Sequence, residues 1–199
     1  MTDLVAHPGP EWVVAEMPAG YQTRLGEIQR LMADLQDMGR FARLLWEVGP
    51  ALGEAARDAF TALKFDAQIQ DTSLSGVVVR LDGKRRLLLI PSATTDAIQK
   101  KSLELTQVFQ TLQEVAEDSD RVVLVTNVSP ERRPADRPAA LTADALAFLV
   151  RMGASHVTGA ALFTLWKLSL HEMERARAQV ERLHAHEGGT FELPASVLR

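Results

Sequence analysis

Residues 65–95 read FDAQIQDTSLSGVVVRLDGKRRLLLIPSATT. Phe65, Ala67 and Ile69 alternate with polar neighbours, which is the period of a strand with one buried face. Val77–Leu81 and Arg86–Ile90 are two further β-rich runs, and Asp82-Gly83 between them is a tight-turn dipeptide flanked by strand formers. The stretch 65–91 therefore predicts three consecutive antiparallel strands. Downstream, residues 95–117 (TDAIQKKSLELTQVFQTLQEVAE) predict a helix capped by Thr95 or Asp96, with Ile98, Leu105, Val108, Phe109, Leu112 and Val115 inward. RVVLVTN (121–127) is a continuous apolar run, the pattern of a strand covered on both faces. After the Pro- and Arg-rich loop SPERRPADRPA (129–139), Thr142 caps a helix with Asp144 in its first turn and Gly153 at its stop. Ser155–Thr158 reads as a short strand, and Ala160 to Glu187 as one helix ended by Gly188-Gly189.

Upstream, three of the nine prolines (Pro8, Pro10, Pro18) lie in residues 1–19, an extended lead-in with Trp12 as its anchor. From Gly20 to Val48 apolar residues recur in steps of three and four: Leu25, Ile28, Met32, Leu35, Met38, Phe41 and Leu45. A helix over 20–48 is about 40 Å long at 1.5 Å per residue, so part of it is expected to project. Its stripe needs a cover, either the C-terminal helix of the same chain or the same helix of a second copy. Gly26 and Gly39 weaken a strict coiled coil. Gly49-Pro50 ends this helix, and 51–63 (ALGEAARDAFTAL) puts Leu52, Ala55, Ala56, Ala59, Phe60 and Leu63 on one buried face. The organisation expected is a lead-in over 1–19, a long amphipathic helix over 20–48, and an α/β domain over 49–199. Helices alternating with strands in this order predict a central mixed sheet flanked by helices.

Composition narrows the function. The 199 residues are 46% hydrophobic and 24% charged, the composition of a globular chain. There is no cysteine, which excludes disulfides, thiolate metal sites and a cysteine nucleophile. The formal charge of −4 gives no general basic footprint for nucleic acid. No apolar run approaches the roughly 20 residues of a membrane span, and the start MTDLVAHPGPEWVV lacks the basic opening of a signal peptide, so cytoplasmic location without membrane attachment is expected. No cofactor-binding loop is present: G-x-S-x-G, the Walker loop and G-x-G-x-x-G are all missing.

Four stretches carry a resemblance. LLWEVGPALGEAARDAFTALKF (44–65), VVLVTNVSPERRPADRP (122–138), ASHVTGAALFTLW (154–166) and WVVAEMPAG (12–20) are similar, in order, to segments of bacterial proteins of the PD-(D/E)XK nuclease superfamily, with its restriction-endonuclease-like fold. The resemblance covers nearly the whole chain and implies that fold. An active member carries a helix glutamate, an acid opening the second strand and Glu-x-Lys in the third, because Mg²⁺ takes oxygen ligands and the lysine holds charge beside the attacking oxygen. Laid onto this sequence those positions are Gly53 (Glu54 is one step off), Ser75 or Gly76, and Ile90 with Ser92. None supplies a metal-binding carboxylate, so the resemblance implies a nuclease fold without its catalytic residues, metal or cofactor. It further implies that the cleft is filled and apolar, with Ile90 buried where a ligand once stood.

Other groups read as structural. Asp71 and Asp82 flank the second strand, Asp82 as a turn residue and Asp96 as a helix cap. Lys84, Arg85 and Arg86 are a basic knot at the hairpin, either a solvated edge guard or a contact for phosphate or an acidic partner. Arg132 and Arg133 are similar candidates, whereas Arg137 is expected to tie its loop to the body. Gln99, Lys100, Lys101, Gln107 and Gln110 lie on the helix where, by the resemblance, active relatives place a glutamine or lysine facing the site, and with the acids gone they are expected to cap a polar surface. His7, His156, His171, His184 and His186 read as surface histidines, since HAH places His184 and His186 on different helix faces. Two functions follow. The first is a pseudo-nuclease kept as a protein-interaction or scaffold module, self-associating as a dimer through Leu25, Ile28, Met32, Leu35 and Met38. The alternative is a nucleic-acid-binding protein, or a divergent metal-dependent nuclease of the same superfamily.

Overall fold

The computed structural model describes residues 16–70 and 76–194, and the chain divides into two compact units, residues 1–40 and 41–199. Helix α1 (Tyr21–Ala42) carries the predicted stripe. It gives way to a 3-10 turn (Arg43–Leu45) rather than continuing to Val48. The stop has a cause: the carbonyls of Leu44 and Glu47 each accept a 2.8 Å bond from the Asn127 side-chain amide, and the Leu45 carbonyl accepts from Arg137. These groups have exchanged helical partners for side chains at the end of a strand.

Unit 41–199 is an α/β sandwich around one six-stranded mixed sheet. Helix α2 (Gly49–Ala62) precedes β1 (Asp66–Gln70), β2 (Gly76–Arg80) and β3 (Arg86–Pro91). Helix α3 (Leu103–Glu114), β4 (Arg121–Thr126), α4 (Ala143–Met152), β5 (Ser155–Thr158), α5 (Gly159–Ser169), α6 (Met173–His184) and β6 (Gly189–Thr190) follow. The strands lie side by side in chain order, β1 to β6. The first three pair antiparallel, as predicted, and β3 to β6 pair parallel. Successive side chains in β3 and β4 enter opposite layers. Leu87, Leu89, Val123 and Val125 meet α2, α5 and α6, including Leu52, Phe60 and Leu162. Leu88, Ile90, Val122 and Leu124 meet α3 and α4 through Leu105, Val108 and Leu149. The six predicted apolar positions of α2 are all buried, and Thr142 caps α4 by accepting from the Ala145 amide.

Three expectations need correction. The helix predicted over 95–117 begins only at Leu103. Residue Ile98, fully buried, instead donates its amide to the Ala140 carbonyl at 2.9 Å and accepts from Thr142 at 3.0 Å. Neither Thr95 nor Asp96 is a cap, and Phe109, expected inward, is 47% exposed. The helix predicted over 160–187 is broken between Ser169 and Met173. Ser169 Oγ donates to the Trp166 carbonyl at 2.6 Å, a bond that competes with the helical ladder. Finally, Gly188-Gly189 is more than a helix stop. Both residues take positive φ, and Gly189 opens β6 by donating to Ala154 at 3.0 Å.

Among the described glycines the tightest setting is at Gly159, where β5 turns into α5. A Cβ there would lie 2.1 Å from the Leu44 carbonyl oxygen and 2.7 Å from Asn127 Oδ1. Gly159→Ala is expected to cost about 3 kcal/mol of stability, because backbone cannot move aside as a side chain would. Urea unfolding measures this; a loss under about 1 kcal/mol would mean that the two segments are not in contact.

Candidate functional site

Residues 53, 76 and 91 of the α2–β2–β3 layer converge. Gly53 on α2 faces β3, and a Cβ there would stand 3.2 Å from Pro91 Cγ and 3.6 Å from Val77 Cγ2. Gly76 opens β2 beside it. A cavity of about 280 Å³ lies between α2, the first hairpin and the start of α3. Ile69, Val77, Pro91 and Leu103 form apolar walls, and Glu54, Glu104 and Gln107 supply its polar groups.

The positions that the resemblance sets against the nuclease catalytic residues divide around this cavity. Gly53 and Gly76 line it. Ile90 is buried, but in the opposite layer, against α3 and α4. Ser92 shares that side and donates from Oγ to Glu104 Oε1 at 3.3 Å. Ile90 therefore does not fill the cleft, which stays open; Pro91, between Ile90 and Ser92 in the alternation, is the residue that faces it. Ser75 and Asp71 lie outside the described residues.

Glu104 was not legible as a site residue, because a helix drawn from Thr95 makes it one more polar position beside Leu105. With the helix starting at Leu103, it falls in the first turn and is 92% removed from solvent, being 8% exposed. Among the described residues no cation pairs with it. A buried unpaired carboxylate costs several kcal/mol; the helix N-terminus returns about 0.3–1 kcal/mol, and one hydroxyl bond about 1 kcal/mol. Glu54 is different. Its carboxylate meets Arg43 Nη2 at 3.0 Å and is half exposed.

The basic knot is largely neutralised from within. Arg85 reaches Asp82 at 2.6 Å and Glu181 at 2.7 Å, and these bonds raise its pKa. Arg86 binds Asp120 in a two-pronged pair and also reaches Glu117 at 3.1 Å. Burial pushes the Asp120 carboxyl up, but the Arg86 and Glu117 backbone bonds outweigh it, leaving a net lowering. Asp82 is the turn residue expected. Its Oδ1 accepts from the Arg85 and Lys84 amides, and these hold its carboxyl below the usual range. Lys84, Arg132 and Arg133 are exposed. Arg137 ties its loop down as expected, donating to Asn127 Oδ1 at 3.1 Å and to the Pro130 carbonyl at 3.3 Å. On α1, Leu25 is half-buried, while Ile28, Met32, Leu35 and Met38 are exposed.

The histidines are not all on the surface. His184 is buried, with Nε2 at 2.8 Å from the Ser119 carbonyl. His156, on the inner strand β5, stands between Thr126 Oγ1 at 2.9 Å and Thr190 Oγ1 at 3.2 Å. Its side chain is almost wholly buried. Among the described residues, no three His, Asp or Glu side chains gather to hold a metal ion, and no helix is long and apolar enough to cross a membrane.

Set beside protein-family models, curated proteins and solved structures, the chain matches none of them. The likeness to PD-(D/E)XK nucleases thus stands on its residues and their order alone.

Burial lowers the His156 pKa from 6.5 to about 4. The folded state thus resists a proton that the unfolded chain accepts, so stability is complete above pH 6.5 and falls as pH drops from 6.5 towards 4. The expected loss is about 3 kcal/mol across that window. Urea midpoints measured from pH 7.5 to 4 should show the fall, and His156→Gln should flatten it. A wild-type profile level through this range would place the imidazole in contact with solvent.

Proposed function

We propose that this chain is a non-catalytic domain of the restriction-endonuclease-like fold, acting as an interaction module that self-associates through α1. The observation that carries the reading is the face of that helix. Ile28, Leu31, Met32, Leu35 and Met38 fall at positions i, i+3, i+4, i+7 and i+10 of one helix face and all stand about half exposed or more, Leu35 at 67%. Leu31 widens the predicted stripe. A run of large apolar side chains this long marks an interface, and covering the exposed half of each contributes about 1 kcal/mol, over five such side chains from each copy.

The charges favour a second copy, arranged antiparallel. Residues 21–31 carry Arg24, Glu27 and Arg30, and residues 32–42 carry Asp34, Asp37 and Arg40. The halves thus have net charges of opposite sign, and an antiparallel pair sets each against its complement. Support for the fold comes from the order α-β-β-β-α-β-α-β-α and the mixed sheet. Support for lost catalysis comes from Gly53, Gly76, Ile90 and Ser92, and from the carboxylates already engaged by Arg85 and Arg86.

Light scattering is expected to give a dimer at micromolar concentration, and Leu35→Asp a folded monomer. A monomeric wild type, or a dimer unchanged by Leu35→Asp, refutes the role of α1. Incubation with duplex or single-stranded DNA and Mg²⁺ or Mn²⁺ is expected to leave the DNA intact. Cleavage abolished by alanine at Asp82 or Glu104 would make the protein an active nuclease with a relocated site, and salt-sensitive gel retardation would favour nucleic-acid binding instead.

A further inference from the structure

The cavity beside Gly53 has a chemistry of its own, independent of α1. Its walls are apolar, its volume is about 280 Å³, and no lysine, arginine or histidine lines it among the described residues. Two of its polar groups are carboxylates. Glu54 already has Arg43. Glu104 has only the Ser92 hydroxyl on Oε1, and although nine-tenths buried it has no counterion among the described residues. Glu104 itself lines the cavity, and its Oε2 makes no hydrogen bond among the described residues. A lone carboxylate at the base of an apolar cavity repels phosphates and carboxylates and lacks only a cation. The space equals roughly nine water volumes, room for a charged head on a body of about that many atoms.

We infer that this cavity binds a small free organic monocation, a primary ammonium on an apolar body, with Glu104 as its counterion. The ammonium donates to Glu104 Oε2, and the body lies against Val77, Pro91 and Leu103. Gly53 and Gly76 both line the space, and at Gly53 even a Cβ would press on Pro91 Cγ at 3.2 Å. The occupant is a free molecule rather than a side chain of a partner protein, because about 280 Å³ exceeds what the five heavy atoms of a lysine stem and ammonium would fill.

Isothermal titration of the intact protein with phenethylammonium, its neutral isostere 2-phenylethanol and the anion 3-phenylpropionate tests this. Phenethylammonium should bind saturably at millimolar concentration or tighter, at least about tenfold more tightly than the alcohol, and the anion should not bind. Glu104→Gln should remove that preference while leaving the alcohol's affinity unchanged. Ala93→Trp, at an exposed rim position and therefore compatible with folding, should block both ligands while preserving the unfolding temperature. No saturable binding up to about 20 mM, equal affinity for amine and alcohol, or an unchanged preference in Glu104→Gln overturns the proposal. Tighter binding of Nα-acetyl-lysine-methylamide than of phenethylammonium overturns the choice of a free molecule in favour of a partner's lysine.

Discussion

The side chain of Asn127, one residue beyond β4, donates both its amide hydrogens to carbonyls that a helix end has released, those of Leu44 and Glu47. Its oxygen accepts from Arg137. Three segments distant in sequence thus meet at one buried amide: the turn before α2, the end of the central strand, and the long loop. Gly159 closes the arrangement by admitting the Leu44 carbonyl where no side chain fits. Much else follows from this junction. It fixes where α2 begins, and hence which residues of α2 face the hairpin. A side chain that satisfies several backbone groups at once is costly to replace, since each lost partner leaves a buried polar group unpaired.

The elements with strong local signals were legible in the sequence. β1 to β3, β4, α2, α4 and the caps Thr142 and Gly153 stood where their patterns placed them, because periodicity and turn chemistry act within a few residues. What was not legible depended on distant partners. Ile98 abandons its helix for a bridge to residues 140–142, and nothing near Ile98 announces that offer. Ser169 breaks a helix whose apolar pattern continues past it. A two-residue strand such as β6 has no period to read. His156 looked like a surface histidine because only the sheet order makes β5 an inner strand.

The candidate site was half legible. Gly53 and Gly76 were marked as positions lacking an acid, and they do lie together. The cleft they line ran opposite to expectation, being open rather than a filled core. The reading of Ile90 erred through alternation: burial was right, but residues 90 and 92 share the face towards α3, and only Pro91 faces α2. Glu104 emerged from the shortened helix, which turned an undistinguished polar residue into a buried first-turn carboxylate.

The sheet holds its strands in chain order, and each pairs with the one made just before it. No strand must wait for a later segment to be threaded between it and its neighbour. The antiparallel hairpins close over short loops and form first, while each parallel strand requires a crossover of some tens of residues and joins more slowly. During synthesis the growing edge is always the most recent strand, and its partner-to-be is the next to leave the ribosome. The fold can thus be assembled in the direction of translation, with β6 sealing the exposed edge last.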